Sequence, residues 1–365
     1  MLNSLVYSIK STLYSLYKKH KLRRHVNSIE TTRAENYGEL INSTDLTPDE
    51  ILAINAKWGF LVGNDKIPYG DWKIYKAIKG FNPDYLSLSL YDAYILPLLN
   101  PVDYVVPLAN KSMLRYTFEG FAQPETVIRC VNGIYFDGNN HIVSRSEAIT
   151  KLATVSEPCF LKPGTETNSS DGIVYIQPDK DNRADIELFL AQNNSFIAQK
   201  KLIQSDFLTQ LNPTSLNTMR LTTLLLPDGV KIISAQLKIG KNGAIFDNSK
   251  HGSIFVGINE NGILNESGAR RDLKLYREQN GVKFANLSIP NYDTVKNFVM
   301  RGHLHVAPCH IIGWDIALDK NNQPVLIEAN TFCPSITYEQ IASGPIFGKY
   351  TDAAIDYIKY LKSNK

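Results

Sequence analysis

The pattern of apolar and polar positions changes character once along the chain, near residue 124. Before it, apolar residues recur at helical spacing: Thr47-Pro48-Asp49-Glu50 reads as a helix cap followed by ILAINAKWGF, and FNPDYLSLSLYDAYILPLLN repeats a turn and then an apolar helix. After it, short strand-like runs alternate with Gly, Asn, Asp and Ser: TVIRCVNGIYF, PCFLKP and DGIVYIQP. The pattern predicts a helix over 184–193, a strand over 195–202, and a long strand pair, 217–226 and 230–240, turning at Pro227-Asp228-Gly229. Helices are predicted over 293–305 and 350–361. The order of elements defines a mixed α+β chain with four parts: a basic amphipathic helix (1–26), a helical front section (27–120), a smaller strand-rich subdomain (121–204) and a larger one (205–365).

The segment IIGWDIALDKNNQPVLIEANTF carries the strongest chemical signal. It reads as two apolar strands around a two-residue turn at Asn321-Asn322, a register that sets Asp315 opposite Glu328 with Asn330 on the same face. Two carboxylates facing each other among Ile, Trp, Leu and Val repel and are costly to bury, and a cation between them removes the conflict. Oxygen ligands with no Cys or His in register favour Mg²⁺, an ion that completes its shell with water and phosphate oxygens. Asp315, Glu328 and Asn330 are therefore the candidate metal ligands, against the alternative of an ordinary solvent-facing hairpin.

Upstream lie candidate partners for phosphate. Lys162 ends an apolar strand before the loop GTETNSSDG, where Gly164, Ser169, Ser170 and Gly172 let backbone N–H groups approach an anion. No GxxxxGK[ST] loop is present, and an ordinary hairpin turn is the alternative for this segment. Arg220 stands in the apolar strand LNTMRLTTLL and needs an anionic partner, either a transferring phosphate or an internal carboxylate such as Asp247. Lys238, Asp247 and Asn248 follow on the partner strand and the loop after it.

Composition narrows the class. A chain of 365 residues, 43% hydrophobic and 21% charged, supports two or three cores and excludes disorder. The first 25 residues hold six of the basic side chains and no acid, so the net charge of +3 hides a remainder of −3. Leu2, Leu5, Val6, Ile9, Leu13, Leu16 and Tyr17 recur at helical spacing beside that basic cluster, which suits either an anionic membrane surface or a helix packed on its own domain. No reader motif for nucleic acid and no apolar run of about 20 residues occurs. Cys130, Cys159, Cys309 and Cys333 form no CxxC pair, the pattern of a reducing cytoplasm, with peripheral attachment at the inner membrane face as the variant the basic segment allows. The run HLHVAPCH matches no zinc spacing, and its histidines read as local packing groups.

Taken together, FLKPGTETNSSDG, IAQKKLIQ, LNTMRLTTL, LKIGKNGAIFDN and WDIALDKNNQPVLIEAN occur in an order that resembles the ATP-grasp superfamily over about residues 105–348. LTPDEILAINAKWGF and the Asn217-Thr218-Met219-Arg220 strand resemble its sugar-transfer, polysaccharide-associated branch and extend the likeness towards residue 47. The resemblance implies an ATP-grasp fold in which two α+β subdomains clasp ATP. It implies that Lys111 and Lys162 reach the phosphates, that the hinge Gln199, Lys200, Lys201, Leu202 and Ile203 lies beside adenine, and that Asp206 serves the ribose. Asp315, Glu328 and Asn330 would hold Mg²⁺, and Arg220 with Lys238 would act on the transferring phosphoryl group. Lys238 stands where arginine is common in this branch, and the loop after Lys162 is poorer in glycine than in many members. The implied activity is a ligase that makes an acylphosphate, releases ADP and passes the acyl group to an amine or other nucleophile, with the joining of an amino acid to a sugar carboxylate as one instance. A sugar kinase and a non-catalytic nucleotide-binding scaffold for a glycosyltransferase are the alternatives.

Overall fold

The computed structural model describes residues 2–164, 172–178, 180–245, 252–331 and 336–364, with side chains from residue 19 onward. The apolar stripe from Leu2 to Tyr17 and the lysines at 10 and 18 therefore lie outside the described side chains, as do Ser169, Ser170, Asp247, Asn248 and Cys333. The described chain divides into two compact units, residues 1–99 with 344–365, and residues 100–343.

The first unit is helical. Helix α1 (Leu2–Ser43) carries a kink at Tyr37. Helix α2 (Pro48–Val62) starts at Thr47, whose hydroxyl accepts from the Glu50 amide while the Glu50 carboxylate accepts from the Thr47 amide, so both orphan donors of the cap are used. Helix α3 (Gly70–Lys79) contributes Asp71, which is buried against Arg33 of α1 with a 2.7 Å bond from Arg33 Nε and accepts from the Leu88 amide at 2.7 Å. Helices α4 (Leu88–Leu90) and α5 (Leu96–Leu99) flank one π-turn, and the closing helix Thr351–Ser363 joins this unit, with Lys362 Nζ donating to the Phe60 carbonyl at 2.6 Å. Among the described residues no helix is long and apolar enough to cross a membrane.

The second unit holds two antiparallel sheets. Helices α6 (Val102–Leu108) and α7 (Leu114–Thr117) lead into the smaller sheet, formed by β1 (Thr126–Val131), β2 (Ile134–Asp137), β3 (Ile142–Val143), β4 (Cys159–Pro163), β5 (Val174–Ile176) and β6 (Phe196–Lys200) in the order β3-β2-β1-β6-β4-β5. Helices α8 (Arg145–Ala153) and α9 (Arg183–Gln192) bury Ile149, Leu152, Ile186 and Phe189 against its Ile128, Cys159 and Ala198. Lys162, Ile197 and Arg129 are register partners on adjacent strands, and alternation along β4 sets Lys162 on the face opposite Cys159 and Leu161 of that core.

Helix α10 (Asp206–Leu211) then opens the larger sheet of β7 (Thr218–Leu226), β8 (Gly229–Ile239), β9 (Ile254–Ile258), β10 (Leu264–Ala269), β11 (Leu275–Tyr276), β14 (Ile311–Leu318) and β15 (Pro324–Asn330), ordered β11-β10-β9-β8-β7-β14-β15, with β12 (Glu278–Gln279) and β13 (Val282–Lys283) as a separate ribbon. Leu221, Leu237 and Trp314 on one face meet Val295 and Val299 of α11 (Tyr292–His303). Helix α12 (Thr337–Ser343) lies against β8, β9 and β10: Ser343 Oγ donates to the Ala235 carbonyl at 2.8 Å, and Asn265 Nδ2 to the Ala342 carbonyl at 2.8 Å. It lies so close to β9 that a Cβ on Gly257 would fall 2.4 Å from the Ala342 oxygen, so only glycine fits there. All eight residues of β14 are buried.

Asp315 pairs with Glu328, by a different route from the expected two-residue turn. The turn is longer: Asp319 Oδ1 accepts from the Asn321 and Gln323 amides at 2.8 Å each, and Asn322 takes positive φ. That shifts the register by one residue at Leu318–Pro324, and a bulge between Asp315 and Ile316 shifts it back.

Candidate active site

Three cations meet two acids where β7, β8, β14 and β15 run side by side. Asp315 accepts two bonds from Arg220, at 2.7 Å from Nε and 3.0 Å from Nη2, and Lys238 Nζ lies 3.0 Å from the same carboxylate. The repulsion expected between Asp315 and Glu328 is thus offset by side chains of the chain itself. Burial pushes the Asp315 carboxyl up, but Arg220 and Lys238 outweigh it and hold the group well below the usual carboxylate range. Burial works against the charge of the half-buried Arg220 guanidinium, but Asp315 and its neighbours outweigh it and hold the group charged.

Glu328 takes the third cation from far along the chain. Lys111 Nζ lies 2.7 Å from Glu328 Oε1, although 217 positions separate the two. The lysine is aimed by its own turn: Asn110 Oδ1 accepts from the Ser112 amide at 3.0 Å, and the Lys111 amide donates to the Gly164 carbonyl at 2.8 Å, beside Lys162. Lys162 Nζ in turn donates to Gln199 Oε1 at 3.0 Å, while Gln199 Nε2 reaches the Pro124 carbonyl. Lys162 with Gln199 on the small sheet and Lys111 with Glu328 at the acidic hairpin are thus two polar pairs, in line through the Lys111 backbone bond to Gly164.

The residues fit a magnesium ion by their donor chemistry. Asn330 donates its amide nitrogen to the Gly313 carbonyl at 3.1 Å, and its side-chain oxygen, on the same face as Glu328, has no partner among the described residues. Asp315, Glu328 and Asn330 thus present oxygen, the ligand type Mg²⁺ takes.

Other expected residues lie apart from this line. Lys200 pairs at the surface with Glu125 at 3.0 Å and Glu157 at 2.8 Å, because alternation along β6 turns it away from Gln199. Lys201 and Ile203 are exposed, Leu202 is half-buried, and Asp206 sits in the first turn of α10, exposed after its cap Ser205. Glu339 was not legible as a site residue. It is buried on α12 with Oε1 3.7 Å from Arg220 Nη1, and burial pushes its carboxyl up to about 7 against the pull of Arg220.

The histidine run packs locally. His303 Nε2 lies 2.9 Å from the Cys309 carbonyl, which can only accept, so this nitrogen carries the proton. Nδ1 then accepts from Thr223 Oγ1 at 2.7 Å, and Thr223 receives the Trp314 indole N–H at 2.7 Å. The network ties α11 to β7 and β14 beneath the site.

The chain belongs to the family described as sugar-transfer associated ATP-grasp, whose profile matches residues 91–352. Among curated proteins none matches the chain. Solved structures similar to it include an L-amino acid ligase from Bacillus licheniformis (13% identity, TM-score 0.38, covering 64% of this chain and 42% of that one). D-alanyl-alanine synthetase A from Vibrio cholerae is similar at 13% identity and TM-score 0.44, covering 71% of this chain and 66% of that one. D-alanine–D-alanine ligase from Bacillus anthracis is similar at 13% identity and TM-score 0.39, covering 71% and 70%. The chain thus spans less than half of the first and about two thirds of the other two.

Proposed function

We propose that the chain is an ATP- and magnesium-dependent ligase that activates a carboxylate as an acylphosphate and passes the acyl group to an amine, in the building of cell-surface polysaccharide. The observation that carries this reading is the pairing of Lys111 with Glu328, which puts a lysine from the turn ahead of the small sheet against a carboxylate of the large one. A triphosphate bridging the two sheets needs cations on one side and metal ligands on the other. Lys162 and Lys111 supply the first, and Asp315, Glu328 and Asn330 the second.

In the reaction, a substrate carboxylate oxygen attacks the γ-phosphorus of ATP and the bond to the ADP oxygen breaks. An amine nitrogen then attacks the acyl carbon, the bond to phosphate breaks, and phosphate and a proton leave. Magnesium, when bound by Asp315, Glu328 and Asn330, would neutralise charge on the phosphate oxygens. Arg220 and Lys238 are the cations paired with Asp315, and their role is to hold Asp315 in place and to stabilise charge on the transferring group. No side-chain nucleophile is needed, since alignment and charge neutralisation carry such reactions. A sugar carboxylate joined to an amino acid is the product class proposed.

The test is incubation with ATP, Mg²⁺, glucuronate or galacturonate, and hydroxylamine. Hydroxamate formed in step with ADP supports acylphosphate chemistry. Phosphorylated sugar with no hydroxamate contradicts it and assigns a kinase.

A further inference from the structure

The small sheet buries a cation that no carboxylate neutralises. Arg129 of β1 is fully buried, on the sheet face opposite the core that holds Ile128 and Cys130. Its guanidinium lies between two aromatic rings, 4.2 Å from the centroid of Tyr116 on α7 and 4.2 Å from that of Phe136 on β2. Ring faces attract the charge but leave the N–H groups to find acceptors elsewhere. Nη2 donates to the Tyr116 hydroxyl and, at 3.4 Å, to Asn140 Oδ1, while Nε and Nη1 have no partner among the described residues. Arg115 adds a second positive charge nearby: its Nη1 donates to the Gly138 carbonyl, and among the described residues it forms no ion pair. Burial first, and then the Arg115 charge, pull the Arg129 guanidinium below its usual range, against the pull of Tyr116.

The bonds of Arg129 aim donors into a cleft. The cleft has a volume of about 750 Å³, and Arg115, Tyr116, Phe118, Phe121 and Asn140 are among the residues that line it, so Arg129 lies one side chain behind its wall. Because the Tyr116 oxygen accepts from Arg129, its own O–H is left to donate elsewhere; because Asn140 Oδ1 accepts from the same nitrogen, Asn140 Nδ2 is left to donate too. Tyr116 and Asn140 are exposed, and Arg115 is half-buried with only Nη1 engaged, so a solute in the cleft can reach all three. Two acids also line it. Glu125 is taken by Lys200 at 3.0 Å, and Glu119 is exposed, where water and salt screen its charge. Lys111, Lys162, Asp315 and Glu328 do not line the cleft.

Three donor side chains backed by two arginines select an anion. A phosphate dianion matches two positive charges better than a single carboxylate does, and its oxygens can take bonds from three side chains at once. We propose that this cleft binds a phosphate dianion, free or as the head of a phosphate monoester, with its oxygens bonded to the Arg115 guanidinium, the Tyr116 hydroxyl and the Asn140 amide, and with Arg129 supplying charge from behind the wall. The buried rings of Phe118 and Phe121 give the organic part of an ester an apolar surface in the same cleft. The site is separate from the candidate nucleotide site and does not rest on the ligase reading.

The test uses the full chain, with phenyl phosphate, inorganic phosphate and benzoate as probes at constant ionic strength, followed by ligand-observed NMR. Phenyl phosphate is expected to bind the wild type and to bind tenfold or more weakly to Arg115→Gln and to Tyr116→Phe. The second variant keeps the ring over Arg129 and removes only an exposed hydroxyl, so it serves if the first fails to fold. The affinity is expected to stay the same when a non-hydrolysable ATP analogue and Mg²⁺ are present at saturation. Tighter binding of phenyl phosphate than of inorganic phosphate supports the site and assigns an ester as its ligand; equal binding of the two supports it and assigns the free ion. No binding by the wild type, equal binding by the folded variants, or benzoate bound as tightly as phenyl phosphate overturns the proposal. Displacement of the probe by the nucleotide analogue also overturns it, since the phosphate would then lie in the nucleotide site.

Discussion

Lys111 and Glu328 neutralise each other across 2.7 Å, so the lysine expected at phosphate and the carboxylate expected at the metal are partners before any nucleotide arrives. A nucleotide with Mg²⁺ exchanges both partners at once, whereas either alone strands one charge. The thermal shift produced by a non-hydrolysable ATP analogue and Mg²⁺ together is therefore expected to exceed the sum of the two separate shifts. Additive shifts would show that the pair is not part of the nucleotide site.

Replacing Lys111 with Met removes a phosphate cation and leaves the Glu328 carboxylate, which is partly exposed, to water. Nucleotide affinity by calorimetry should fall tenfold or more, about 1.4 kcal/mol, with the unfolding midpoint changed little. A large loss of stability with unchanged affinity would make the pair structural.

Asp315 is buried between two half-buried cations. Asp315→Asn keeps the shape but leaves Arg220 and Lys238 without their carboxylate, a break that costs about 3–5 kcal/mol when one partner of a buried pair is removed. Urea unfolding should show that loss, and Asp71→Asn, which strands Arg33, should show one of similar size in the helical unit. A change within 0.5 kcal/mol, about the level of an ordinary surface substitution, would mean that water screens these pairs.

Burial lowers His303 from 6.5 to about 4, against the opposing bond to the Cys309 carbonyl. The folded state therefore holds this histidine neutral between those values, while the unfolded chain binds a proton. Stability from this group is present above pH 6.5 and is lost as pH falls to about 4, by roughly 3 kcal/mol in all. The unfolding free energy measured from pH 7 to 4 should fall on that slope, and His303→Gln should flatten it. An equal slope in the variant would assign the acid sensitivity elsewhere.

Much of this site was legible because strands alternate. Arg220, Lys238, Asp315, Glu328 and Asn330 all stand at polar positions in apolar runs, and register alone brings them together. Glu339 gives no such signal: it is one acid in a short helix, and its place over Arg220 depends on how α12 crosses the sheet. The contact of Lys111 with Glu328 is likewise invisible to any local pattern, and only the family likeness singled Lys111 out. The bulge at Asp315 hides in the same way, since the true turn and the bulge displace the register by one residue in opposite senses.

The most direct test of the nucleotide site is the thermal unfolding of wild type and Glu328→Gln with a non-hydrolysable ATP analogue, each with and without Mg²⁺. The account predicts a Mg²⁺-dependent rise in the wild type that disappears in the variant, because the glutamine cannot supply a carboxylate to the metal. A wild type that shows no rise at saturating nucleotide, or a variant that keeps the whole of it, would contradict the assignment of Asp315, Glu328 and Asn330 as the metal ligands.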